Sequence, residues 1–134
     1  MYDLDEVKMR YHRVRRTYKL SENWDDLDEL TQALIYYLYN KGACFDAILW
    51  VVRNTDKYIY ELWNTCKRGD WLSWLVGTTH NVLYLELFYT IEDDHPTIQE
   101  YARKWAAKRI KQNYNAHYTM TIILNHYREV TNVS

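Results

Sequence analysis

Glycine and proline are scarce in this chain: three glycines and one proline among 134 residues, against an ordinary combined share of about 12%. A β-sandwich of this length needs a turn roughly every 8–12 residues, and these punctuators are too few to supply them. No glycine-rich loop is present, which excludes the dinucleotide and P-loop folds, whose backbone must approach a phosphate closely. Charge of one sign is also lacking. Seventeen basic and 18 acidic side chains leave a net charge of −1, so bulk electrostatics does not imply non-specific nucleic-acid binding. Cysteine is nearly absent. Cys44 and Cys66 fit no C-x-x-C spacing, and each lies inside an apolar run, so two buried free thiols are expected rather than a disulfide. There is no apolar window of about 18 residues and no basic stretch leading into an apolar one at the start. Neither a membrane span nor a secretory signal is expected, and the location predicted is the cytoplasm of a host cell.

What is abundant is aromatic. Fourteen tyrosines, six tryptophans and two phenylalanines make 16% of the chain. A single domain of 134 residues cannot bury that many tyrosines and satisfy every hydroxyl. Several are expected at the surface, with Tyr2, Tyr36, Tyr39, Tyr60, Tyr84 and Tyr114 as candidates. Surface tyrosine gives large contact area with few rotors to freeze. A coding bias toward A and T is the competing explanation.

Apolar spacing predicts helices throughout. Leu4, Val7, Tyr11, Val14 and Tyr18 share one face, with Asp3, Asp5 and Glu6 at the start. Ser21 or Asn23 is the expected cap of a second helix with the stripe Trp24, Leu27, Thr31, Leu34 and Leu38, closed by Gly42. Residues 44–52 are apolar nearly all round and should form the buried centre. Thr55 is expected to cap a helix carrying Ile59, Leu62, Trp63 and Cys66. Asp70 should cap a short one that Gly77 ends. Residues 82–91 read as helix, with a strand as alternative because Leu83, Leu85, Leu87, Tyr89 and Ile91 alternate. Pro96 suits a first helical position, and Ile98, Ala102 and Trp105 then repeat as a stripe. Asn113 and Asn115 suggest a break before a last helix with Ala116, Met120, Ile123, Leu124 and Tyr127. The expected fold is all-α: one domain over residues 1–134, a compact bundle of seven or eight short helices around the apolar 44–52 helix.

Four constellations bear on chemistry. Segment 8–19 holds six Lys/Arg, among them Arg10, Arg13, Arg15 and Arg16, together with His12. It reads as a solvated face, or as a docking surface for protein or nucleic acid. The acidic run from Glu22 to Glu29 follows directly and offers internal pairing. Arg103, Lys104, Lys108, Arg109 and Lys111 form a second basic run near Tyr101, Trp105 and Tyr114, the mixture used by single-strand binders; Trp105, on the stripe with Ile98 and Ala102, is expected in the core. Glu92, Asp93, Asp94 and His95 read better as an acidic helix terminus than as a metal site. His117 and His126 face different directions, no H-E-x-x-H occurs, and a Cys66–His80 nucleophilic pair requires tertiary folding. No metal, no cofactor and no enzymatic activity are expected.

Cys66-Lys67-Arg68-Gly69-Asp70-Trp71-Leu72-Ser73-Trp74-Leu75 resembles a segment of the all-helical immunity proteins of bacterial toxin systems, versions of which occur in phage genomes. Tyr101-Ala102-Arg103-Lys104-Trp105-Ala106 resembles their later helix. The likeness covers residues 60–107 or so and implies a helical fold and action by binding and blocking another protein. The functional expectation is accordingly a small non-catalytic inhibitor, encoded by a virus or mobile element. It would occlude a host protein or ribonucleoprotein, as counter-defence and anti-CRISPR proteins do. The contact surface is expected at Arg10, Arg13, Arg15, Arg16, Tyr36, Tyr39, Arg103, Lys104 and Lys108. A nucleic-acid-binding protein using both basic segments and a toxin-immunity protein are the alternatives.

Overall fold

A computed structural model describes residues 2–20, 22–81 and 96–131. The described residues are all-α, as expected: seven α-helices and one 3-10 turn, with no strand among them. The helices are α1 (Leu4–Thr17), α2 (Glu29–Asn40), α3 (Phe45–Val52), α4 (Ile59–Thr65), α5 (Gly69–His80), α6 (Pro96–Asn113) and α7 (Ala116–Thr131), with the 3-10 turn at Trp24–Asp26. They fall into two compact units, residues 1–62 with 120–134, and residues 63–119. The choice between helix and strand over 82–91, the acidic corner 92–95 and Tyr84 lie outside the described residues.

In the first unit, the Asp3 carboxylate accepts the Glu6 amide at 2.8 Å and so opens α1, satisfying one of the orphan donors of a helix start. Val7, Tyr11 and Val14 are buried, whereas Tyr18, expected on the same face, lies beyond the helix end and is exposed. Lys19 takes the left-handed conformation there (φ 55°), and the Leu20 amide closes onto the Arg15 carbonyl at 2.9 Å, the geometry in which helices commonly end. The Tyr11 hydroxyl donates to the Glu22 carbonyl at 2.8 Å and its ring packs edge-on to Trp24 at 5.5 Å, tying the 3-10 turn to α1.

The cap of α2 is Asp28, not Ser21 or Asn23. Its carboxylate accepts the Thr31 amide at 2.7 Å. The chain is extended at Leu27, so the acidic run divides into the 3-10 turn and a new helix start. The stripe Trp24, Leu27, Thr31, Leu34 and Leu38 is nevertheless buried throughout, because the 3-10 turn keeps Trp24 and Leu27 on the inner side. Gly42 follows α2 with φ 76°, as its position suggests. The helix buried all round is α2, from Ala33 to Leu38, and not the 44–52 run. In α3 only Ala47, Ile48, Val51 and Val52 are buried; Phe45 is 48% exposed and Cys44 is an exposed thiol. Tyrosine explains the difference. Tyr36 and Tyr37 bury their rings, and Tyr36 donates its hydroxyl to the Tyr2 carbonyl at 3.3 Å, so a residue that looks half polar in sequence becomes core once its hydroxyl has an acceptor.

The second unit is built on α5 against α6. Arg68, not Asp70, is the residue before the first turn, and α5 runs through Gly77 to end at Asn81 in the left-handed conformation (φ 53°). Gly77 fails as a stop because it is buried inside the helix. α4 likewise starts later than Thr55 predicts: the Glu61 and Leu62 amides donate to the Tyr58 carbonyl. Its expected apolar set, Ile59, Leu62, Trp63 and Cys66, is buried. Leu72, Leu75 and Val76 of α5 and Ala102, Ala106, Ala107 and Ile110 of α6 are buried. The two helices touch backbone to backbone at Gly69: a Cβ there would lie 2.5 Å from the Ala106 Cβ and 2.5 Å from the Arg103 carbonyl. Pro96 opens α6 as expected. Asn115 makes the predicted break, its side-chain oxygen accepting the Tyr118 amide at 3.1 Å to start α7.

Candidate partner-binding surface

The close Gly69 contact decides which way α6 faces. Small residues line the seam, so Ala102, Ala106 and Ala107 turn inward with Ile110. The larger residues are left outside. Ile98 is 46%, Tyr101 73% and Trp105 44% exposed, which corrects the expectation of an Ile98–Ala102–Trp105 core stripe. Of the three only Ala102 is buried. The Arg109 guanidinium lies 5.0 Å from the Trp105 ring centroid, close enough for a cation–π contact.

Beside this row, Lys104, Lys108 and Lys111 follow one another at i, i+4 and i+7 and so share a helix face. They border an open cleft of about 260 Å³, completed by Cys66, Lys67 and Gln112. Among the described residues four lysines line it and no acidic side chain does. Lys111 is the anchored member. Its ammonium donates to the carbonyls of Asn64 at 2.8 Å and Cys66 at 2.7 Å, satisfying acceptors at the end of α4 that have no partner within the helix. Burial lowers its pKa, with the nearby Lys67 adding to the effect. Lys104 pairs with Glu100 at 3.0 Å, both exposed, an arrangement that holds the lysine weakly. Lys67 and Lys108 have no carboxylate in ion-pair range among the described residues.

The cleft thus gathers Lys104 and Lys108, both expected from sequence, with Lys67, which sequence reasoning missed. Nothing in the local pattern links position 67 to positions 104–111; only the packing of α5 on α6 does. Arg103, also expected at the surface, is partly buried with Nε 3.7 Å from Asp70 Oδ2. Asp70 is gripped more closely by Arg68, with contacts of 2.9 and 2.7 Å, and that guanidinium lies 4.2 Å from the Trp71 ring centroid. Burial raises the Asp70 pKa, but the Arg68 hydrogen bonds and the charges of Arg68 and Arg103 outweigh it and hold the carboxyl below its usual value.

The first basic segment lies in the other unit. Arg13 and Arg16 are exposed and Arg15 partly so. Arg10 pairs with Glu6 at 3.2 Å and stacks over the Tyr2 ring at 4.1 Å. Tyr36 is not a surface residue: it is 3% exposed, its ring edge-on to Tyr127 at 5.5 Å. Tyr39 is only partly exposed, and its hydroxyl is buried. Surface tyrosines do occur, as the composition demands, but among the described residues they are Tyr18, Tyr58, Tyr60, Tyr101 and Tyr118. Of the candidates named from sequence, Tyr60 alone is exposed among the described residues, Tyr2 and Tyr114 being intermediate.

Cys66 is buried, and burial pushes its thiol up, away from the thiolate that a nucleophile needs. His80 places Nε2 2.9 Å from the Thr119 hydroxyl, which itself donates to the Asn115 carbonyl at 3.0 Å. Its ring sits between Tyr114 and Tyr118 at 5.2 and 5.3 Å. This is a packed structural histidine whose partner is a threonine, not Cys66. Comparison of the chain with protein families, with curated proteins and with solved structures finds no match.

Proposed function

We propose that this chain is a non-catalytic binding protein that works by stoichiometric occlusion of a macromolecular target, a host protein or ribonucleoprotein, and that the outer face of α6 is its contact surface. The observation that carries this reading is the row Ile98, Tyr101 and Trp105, left open to solvent while the alanines of the same helix are packed. Large, stiff aromatic side chains on a helix whose opposite face is clamped at Gly69 are preformed anchors, so little ordering entropy opposes their use. Lys104, Lys108 and Arg109 beside them steer an acidic or phosphate-bearing partner. The tyrosine-rich composition fits a virus- or mobile-element-encoded inhibitor of the counter-defence or anti-CRISPR type. The likeness of the Cys66 and Tyr101 segments to helical immunity proteins supports the same mode of action.

The test is capture of the target by the tagged chain and by a Tyr101→Ala/Trp105→Ala variant. The wild-type chain should retain its target near one-to-one, and the variant should lose it while its far-ultraviolet helical signal is unchanged. Equal capture by both proteins refutes α6 as the contact face.

A further inference from the structure

We infer that the lysine cleft and the adjoining aromatic row form a site for a single-stranded stretch of nucleic acid, with phosphates in the cleft and bases on the rings. The inference rests on α6 being the contact surface and names what that surface grips. Three observations carry it. Among the described residues the cleft is lined by Lys67, Lys104, Lys108 and Lys111 and by no acidic side chain; one exposed carboxylate, Glu100, pairs with Lys104 from beside it, so the cationic excess of the lining complements a polyanion. Lys111 is tied to the backbone at Asn64 and Cys66, which fixes one ammonium at the cleft while Lys67 and Lys108 lack carboxylate partners among the described residues.

The third observation is the pair of exposed rings, Tyr101 and Trp105. They stand one helical turn apart, about 6 Å along the axis, in the row next to the lysines. A cationic groove flanked by aromatic platforms is how single strands are held without reading their sequence, since every base has a flat face. An acidic protein surface would use the lysines but present no comparable planar partners to both rings. A duplex would satisfy the charges with its base faces hidden.

The test is fluorescence anisotropy with the full chain and labelled oligothymidylate and oligouridylate of about 15 nucleotides, a length within reach of a site of this kind. A matched DNA duplex and labelled polyglutamate serve as rival probes. Single strands should bind at low salt, with log K falling against log salt at a slope between about −2 and −3 if three or four lysines each neutralise a phosphate. Trp105→Ala should weaken binding by roughly 5- to 150-fold. Lys104→Gln with Lys108→Gln should flatten the slope by about 1.4. All three positions are exposed, and helical dichroism checks that the variants fold.

Absence of single-strand binding at low salt overturns the inference. So does binding of duplex or polyglutamate as tight as that of the single strands, or indifference to Trp105→Ala. If the Tyr101→Ala/Trp105→Ala variant loses its target while no oligonucleotide binds, α6 stands as the contact face and the nucleic-acid assignment alone falls.

Discussion

Gly69→Ala is the sharpest probe of how the second unit is built. The added methyl would sit 2.5 Å from the Ala106 Cβ, 2.5 Å from the Arg103 carbonyl oxygen and 2.7 Å from the Ala107 amide nitrogen. None of these atoms is the end of a flexible side chain. All belong to the α6 backbone or are rigidly attached to it, so relief requires α5 and α6 to move apart. Overpacking of this kind costs about 1–3 kcal/mol, and the rigid surroundings place it toward the upper end. Loss of glycine's freedom in the unfolded chain returns about 0.4–1 kcal/mol. A net loss of about 2 kcal/mol lowers Tm by about 7 °C for 134 residues at the usual unfolding entropy per residue.

Urea unfolding followed by dichroism and by tryptophan fluorescence measures the change, with an unaltered slope showing that stability and not compactness has shifted. A second variant makes the reasoning stricter. Adding Ala106→Gly removes one of the three clashes but leaves the Arg103 carbonyl in place, so the double variant should recover only part of the loss, beyond the helix cost of about 1 kcal/mol that glycine itself brings. A Gly69→Ala protein within about 0.5 kcal/mol of wild type, the range of an ordinary surface change, would refute the backbone-to-backbone seam.

Two other outcomes follow from the structure. At Gly42 (φ 76°) an added Cβ meets nothing within 4 Å, so Gly42→Ala should cost only the left-handed penalty of about 1–2 kcal/mol, and Gly42→Asn less; equal losses for the two in thermal melts would contradict a purely conformational role. His80 and His126 are both held below 6.5, by burial and, for His126, by the nearby Lys41 as well, against an opposing pull from Glu129. Below that pH the unfolded chain binds protons that the native chain refuses, so stability should fall as pH drops from 6.5 toward the native pKa values and be insensitive to these groups above it. Histidine ring titration by NMR checks the sign: a native midpoint above 6.5 for either ring reverses it.

Much of the fold is legible residue by residue. The spacing of Val7, Tyr11 and Val14, the carboxylate of Asp3, Pro96 at a helix start and Asn115 at a break depend on backbone geometry and local hydrogen bonds, which neighbours in sequence supply. The stripe from Trp24 to Leu38 is read correctly although its cap is not, because burial persists across the extended Leu27 while capping depends on where the turn actually falls. Tyr36 is misjudged because a buried tyrosine needs an acceptor, and the Tyr2 carbonyl that takes its hydroxyl is 34 positions away.

The all-helical class of the described residues was thus legible in the sequence, since periodic apolar spacing and few turn residues disfavour a sheet. Which side of α6 meets its neighbour was decided only in three dimensions. Hydrophobic ranking favours Ile98 and Trp105 as core, but the approach of α5 at Gly69 admits only side chains as short as alanine. Close packing of two backbones therefore overrode apolar character, and it turned the rings outward beside the lysines that a distant segment, through Lys67, completes.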